Sequence, residues 1–170
     1  EKALLEGLLS KYFFYAHRVT QARQWHEKAN DTLRELIKHS SGDDYDLLSG
    51  VVPPRINNKV SVLIPRQLWS ESWLLQKEAR NVTALERLAA AERYLTSVGS
   101  KRDLVMKDYC RKVLSEKAQV LDFLGFLPDA IEIERNLSGL TPNKQNARSI
   151  QIERLNLNRN LSQYYGPSEK

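Results

Sequence analysis

Residues 1–40 read EKALLEGLLSKYFFYAHRVTQARQWHEKANDTLRELIKHS. Taken at alternating steps of three and four, the stretch gives Leu5, Leu8, Tyr12, Tyr15, Val19, Ala22, His26, Ala29, Leu33 and Leu36, and every member except His26 is apolar or aromatic. A helix of 3.6 residues per turn gathers such positions into one stripe. No proline interrupts them, and the one glycine, Gly7, stands near the start. The spacing therefore predicts a single helical rod, about 60 Å long at 1.5 Å per residue. A folded chain of 170 residues has a diameter of roughly 30–35 Å, so the rod should overhang its own domain and need something to cover its stripe.

Composition agrees with a helical, water-exposed protein. The chain is 41% hydrophobic and 28% charged, both ordinary for a globular domain, and has only 7 glycines and 6 prolines, too few for a turn-rich β fold. One cysteine, Cys110, excludes an internal disulfide framework and points to a reducing, intracellular (cytoplasmic) setting. No apolar run reaches the roughly 18 residues that cross a bilayer, and no signal peptide is visible. The first residue is Glu1 rather than Met, as expected of an excised fragment. Net charge is +5, but acids accompany bases in nearly every segment, which weakens the case for a nucleic-acid-binding face. Sequons at Asn30, Asn81, Asn136 and Asn160 match the glycan acceptor pattern, although Asn30 falls inside the predicted rod.

Beyond the rod, residues 41–64 form a long connection. Ser40, Ser41 and Gly42 mark a helix end, and Asp43–Leu48 has room for one helical turn. Gly50–Arg55 should run extended, because each proline disfavours helix at the residue before it. Lys59–Ile64 (KVSVLI) alternates Val60, Val62 and Ile64 as a strand does, yet it has no strand to pair with. It is expected as an extended segment packed on the helices. Pro65 suits the first turn of a second helix, whose inner face is Leu68, Ser72, Leu75 and Ala79. Thr83 and Glu86 have capping-box spacing and open a third helix, unless the second simply continues through Asn81. Its stripe is Ala84, Leu88, Ala91, Leu95 and Val98, and Gly99 ends it. Ser100 with Asp103 should cap a fourth helix running to about Phe126. That helix carries one stripe of Met106, Tyr109, Val113, Glu116, Val120, Phe123 and Leu127, and a second of Cys110, Leu114, Lys117, Leu121 and Leu124. A fifth starts at Pro128 and Asp129 and stops by Gly139. A sixth covers roughly 143–164 after Thr141 and Pro142, with a loose tail at 166–170. The expected architecture is all-α: one domain, an elongated bundle of five or six helices built along the N-terminal rod.

Chemistry is sparse. His26-Glu27-Lys28-Ala29-Asn30 falls one residue short of the zinc-protease HExxH motif, whose two histidines lie one turn apart; a histidine at a helix–helix seam is the simpler reading. Cys110 has Lys107, Arg111 and Lys112 close by in sequence, but no positioned base can be assigned to it. Asp43, Asp44 and Asp46 lack the alternating ligands and turn glycine of a calcium loop. There is no glycine-rich phosphate loop and no nucleophile elbow. Neither an enzyme nor a cofactor, metal or small-molecule substrate is expected.

Surface-forming candidates remain. Trp69 and Trp73 stand four apart, about 100–140° round the second helix from Leu68; with Val52, Pro53, Pro54, Val60 and Val62 they are the candidate partner contacts, since aromatic anchors concentrate at interfaces. Core packing of both tryptophans under a strap is the competing reading. Lys101, Arg102, Lys107, Arg111 and Lys112 form a basic cluster on the fourth helix, with Arg148, Arg154 and Arg159 further on. The expectation is a non-enzymatic interaction module, a scaffold or adaptor that binds a partner helix or self-associates through residues 1–40. The alternative is a helical domain that uses the basic face on an anionic membrane surface or nucleic acid.

Overall fold

In the computed structural model, residues 1–99, 104–140, 152, 155 and 156 are described, with backbone alone at 138–140. Among the described residues, six helices of fourteen residues or more carry the fold, with one 3-10 turn and one single-turn α-helix between the second and third of them. In chain order the α-helices are α1 (Lys2–Tyr15), α2 (Val19–Ser41), the single turn α3 (Asn58–Ser61), α4 (Leu63–Lys77), α5 (Asn81–Val98), α6 (Leu104–Phe123) and α7 (Leu127–Leu140). The protein is all-α, and no strand occurs among the described residues. Its backbone divides into two compact units, Glu1–Val113 and Leu114–Lys170, and α6 runs through the boundary.

The predicted rod is broken. Between α1 and α2 the chain reverses at Ala16–Arg18, with His17 at φ +57°. The cause is local. The Arg18 N–H bonds the Phe13 carbonyl at 2.9 Å and the His17 N–H bonds that of Phe14 at 3.1 Å. These are the paired closing bonds of a Schellman cap, which needs one left-handed residue, ordinarily glycine. Here histidine fills that place, so the sequence carries no break signal. The same cap ends α4, where Arg80 N–H bonds Leu75 O at 2.8 Å and Ala79 N–H bonds Gln76 O at 3.0 Å. Ala79, at φ +58°, is exposed and outside the helix rather than on its inner face. Helix α5 then starts at Asn81 with no side-chain cap, so the Thr83–Glu86 capping box does not form.

In the first unit α1 and α2 make one antiparallel hairpin, α4 and α5 a second, and α2 against α4 joins them. The core of this unit follows the predicted stripes closely: Ala22, Ala29 and Leu33 on α2, Leu68 and Leu75 on α4, Ala84, Leu88, Ala91 and Leu95 on α5 are all buried. Buried Ser72 and His26 lie among them.

The connection after α2 is shorter than expected. Asn57 Oδ1 accepts from Lys59 N–H at 2.8 Å and starts α3, so KVSVLI is helical rather than extended. Alternation lost because tertiary burial outweighed a weak β preference: Ile64 is fully buried, and the Ser61 hydroxyl lies 2.6 Å from that of buried Tyr94. Pro65 is the third residue of α4. Lacking an N–H, it cannot bond the Ser61 carbonyl, and this separates α3 from α4 at Val62. Upstream, Asp46 caps a 3-10 turn at Leu47–Ser49, accepting from Leu48 N–H at 2.9 Å. Arg93 of α5 donates to Leu48 O at 3.0 Å, Tyr45 donates its hydroxyl proton to Val51 O, and a Cβ on Gly50 would come within 2.7 Å of Arg93 Cβ. Residues 43–57 are thus a strap pinned to α5.

In the second unit α6 ends at Phe123, three residues before the expected stop, in a Schellman cap with Gly125 at φ +84°. Phe123 is exposed rather than part of a buried stripe. Helix α7 continues through Gly139 to Leu140. Val120, Leu121, Leu127, Ala130, Ile131, Leu137 and Leu155 are buried. Ile152, Leu155 and Asn156 are helical; the rest of the expected sixth helix, the Ser100–Asp103 cap and the 166–170 tail lie outside the described residues.

Candidate interaction surface

Helix α1 packs with what would ordinarily be its outer face. Its buried residues are Ala3, Glu6, Gly7 and Ser10. Glu6 accepts a hydrogen bond from Thr32 Oγ1 at 2.8 Å, and the Ser10 hydroxyl donates to Ala22 O at 2.8 Å. Small side chains permit this close approach; a Cβ on Gly7 would stand 3.4 Å from Gln67 Oε1. The apolar residues therefore turn outward. Leu5 is 60% exposed, Tyr12 67% and Tyr15 62%, with Leu4, Leu8 and Leu9 also exposed. The stripe from Leu5 to Leu36 is cut at His17: its second part is core, and its first part is surface.

At its C-terminal end this face runs into a chain of rings. Phe14 and Tyr15 lie 5.8 and 6.4 Å from Trp73, Trp73 lies 4.3 Å from Trp69 edge to face, and Trp69 lies 6.1 Å from Tyr109 of α6. All of these rings are half-buried except the exposed Tyr15. Three lysines overlie them: Lys11 Nζ is 5.7 Å from the Tyr15 ring and 5.8 Å from that of Trp73, Lys77 is 5.9 Å from Phe14, and Lys112 is 5.5 Å from Trp69. Such cation–π placements are worth about 0.5–1 kcal/mol each where solvent reaches them. The indole N–H of Trp69 is buried and has no acceptor among the described residues.

Trp69 and Trp73, singled out from sequence, thus sit together and half open. The other expected contacts lie elsewhere: Val52 is half-buried, Pro53 buried and Pro54 exposed on the strap, which is anchored to α5, while Val60 and Val62 are half-buried at α3. In the basic cluster Lys107 is exposed, and Arg111 and Lys112 share the Asp108 carboxylate. Hydrogen bonding from Lys112, with the charges of Lys112 and Arg111, holds Asp108 below the usual carboxylate range. Lys101, Arg102, Arg148, Arg154 and Arg159 lie outside the described residues. Phe14, Lys11 and Lys77 escaped the sequence reading, which places Tyr15 and Tyr109 in helical stripes rather than as neighbours of the tryptophans. A signal was present, because Leu4-Leu5, Leu8-Leu9 and Tyr12–Tyr15 cover more of a helical wheel than one core stripe can use.

Of the remaining candidates, His26, Asp44 and Asp46 make contacts within the fold. His26 is 1% exposed at the α2–α4 seam; its Nε2 and the Asn30 side-chain amide form a hydrogen bond at 3.1 Å, and Ser70 Oγ lies 3.4 Å from Nδ1. That bond also occupies the amide of the Asn30 sequon. Glu71 stands 3.8 Å from His26 and 3.1 Å from Arg87. Burial works against its charge, yet the His26 imidazole and the Arg87 guanidinium outweigh it and hold the carboxyl at about 2. Asp44 pairs with Lys38 at 2.9 Å and Asp46 caps the strap turn. Cys110 is half-buried. Among the described residues no group of three or more His, Cys, Asp or Glu side chains is placed to hold a metal ion, and no helix is long and apolar enough to cross a membrane. Comparison with protein-family models, curated proteins and solved structures found no match.

Proposed function

We propose that this chain is a non-enzymatic interaction module that docks a partner protein's helix on the outward face of α1 and the adjoining aromatic chain. One observation carries the reading: α1 spends its small and polar residues on its own fold and leaves Leu4, Leu5, Leu8, Leu9, Tyr12 and Tyr15 in water. Contiguous apolar surface of this kind marks interaction sites in soluble proteins, and aromatic anchors such as tyrosine and tryptophan carry much of the interface energy. The test compares proteins recovered from a native extract by the wild type and by a Leu5→Glu, Leu8→Glu variant. A partner retained by the wild type and by a Thr20→Glu control, but lost by the double variant, supports the module. Identical recovery by all three rejects it.

A second reading, an interfacial helix on anionic lipid, draws on the leucines and tyrosines of α1 with Lys2 and Lys11 beside them. The pairing of Arg111 and Lys112 with Asp108 leaves the basic face of α6 a weaker candidate for nucleic acid.

A further inference from the structure

We infer that the docked helix is acidic: an amphipathic segment whose apolar stripe is flanked by Glu or Asp. The inference rests on the docking role proposed above and adds the chemistry of the partner.

Placed on a helical wheel, the exposed residues of α1 span about 160°, from Lys11 through Leu4, Tyr15, Leu8, Tyr12 and Leu5 to Leu9, with Lys2 just beyond. Two rows four residues apart, Leu4–Leu8 and Leu5–Leu9, make ridges with a groove between them, the geometry into which the ridge of one incoming helix packs. Beside α1 the tryptophans of α4 are recessed between two walls: Phe14 and Tyr15 of α1 touch Trp73, and Tyr109 of α6 touches Trp69. A flat bilayer would meet the crest of α1 but not these half-buried rings. A helix can reach both.

The edges of this surface are cationic and uncompensated. Lys2 and Lys11 border the leucine arc, and Lys77 overlies Phe14. None of the three makes an ion pair among the described residues. Apart from Glu1, neighbouring carboxylates are already engaged: Glu6 faces inward to Thr32, Glu71 pairs with Arg87, Glu78 with Arg23 at 2.7 Å, and Asp108 with Arg111 and Lys112. Rim cations beside an apolar seam select acidic flanks on the opposing helix, as the charged positions of coiled coils do. A second copy of this chain is a poor match. Its α1 brings the same lysines and, apart from Glu1, no carboxylate on that face.

Two synthetic 21-residue helical peptides with an identical leucine stripe, one with Glu and one with Lys at the flanking positions, provide the test. They are titrated into the full chain carrying Trp25→Phe, so that emission reports Trp69 and Trp73 alone. The Glu peptide should bind about tenfold or more tighter than the Lys peptide at low salt. Lys11→Glu with Lys77→Glu should reverse that order, and Leu8→Glu should abolish binding of both while the circular dichroism melt is unchanged. Equal binding of the two peptides overturns the acidic partner and leaves the docking role standing. Binding of neither overturns both. Concentration-dependent dimers lost in Leu8→Glu would give the surface to a second copy. Phosphatidylserine-containing vesicles that shift the emission when the peptides do not would give it to a membrane.

Discussion

Ala79 and His17 hold left-handed backbone conformations that Gly99 and Gly125 adopt elsewhere in the chain. For a residue with a Cβ that conformation costs roughly 1–2 kcal/mol. Replacing exposed Ala79 with glycine removes the strain and adds about 0.5–1 kcal/mol of unfolded-state entropy. Ala79→Gly should therefore stabilise the fold by up to about 1 kcal/mol, read from the urea midpoint. Gly50→Ala runs the other way. Its φ is +68° and the new Cβ would press on Arg93 Cβ at 2.7 Å and Ala90 O at 3.1 Å, so a loss of about 2 kcal/mol or more is expected. Glu71 gives stability a pH dependence. Its carboxyl falls from an ordinary 4.5 to about 2 on folding, so the folded state holds fewer protons in between. The resulting stabilisation is complete above about pH 4.5 and drains away as pH falls towards 2. Glu71→Gln should lower stability at neutral pH and flatten this acid limb, measured by urea unfolding at a series of pH values.

At the scale of the helix, α1 and α2 show how a continuous pattern can serve two purposes. Leu33 is fully buried and Leu5 is not, though both belong to one series of threes and fours. Leu33→Ala should cost about 2–5 kcal/mol. Leu5→Glu and Leu8→Glu, on the outward face, should each stay within about 0.5 kcal/mol of the parent; thermal melts of the three variants check the contrast. The core of α5 was legible for the same reason that of α2 was: Ala84, Leu88, Ala91 and Leu95 repeat at the helical period, and nothing competes with them. The reversal at His17 was not legible, and the break after α4 was expected at Asn81–Thr83 rather than at Ala79, because a Schellman cap announces itself through glycine and these two close without one. KVSVLI misled through its alternation. A short helix capped by Asn57 buries Ser61 against Tyr94 and Ile64 in the core, and among the described residues there is no strand to pair with it. Of the proposed docking surface, the Trp69–Trp73 spacing was readable, whereas their meeting with Phe14, Tyr15 and Tyr109 depends on the turn at His17 and on the packing of α6.

For the molecule as a whole, the division at Val113 and Leu114 sets up a test of cooperativity. All three tryptophans, Trp25, Trp69 and Trp73, lie in the unit Glu1–Val113. Their emission reports that unit alone, while far-ultraviolet circular dichroism sums the helices of both. The second unit is the smaller, and a smaller body buries a lower fraction of its unfolded surface, which leaves it marginal. It should unfold first. Ellipticity in urea should begin to fall while tryptophan emission is still native, giving two transitions that do not coincide, the recognised departure from two-state behaviour. The engineered glycine sharpens the assignment. Ala79→Gly lies in the first unit, so it should move the fluorescence midpoint upward and leave the early ellipticity loss where it was. If both signals instead shift together along a single curve, the two units melt as one body, because a stabilising change confined to one could not otherwise protect the other.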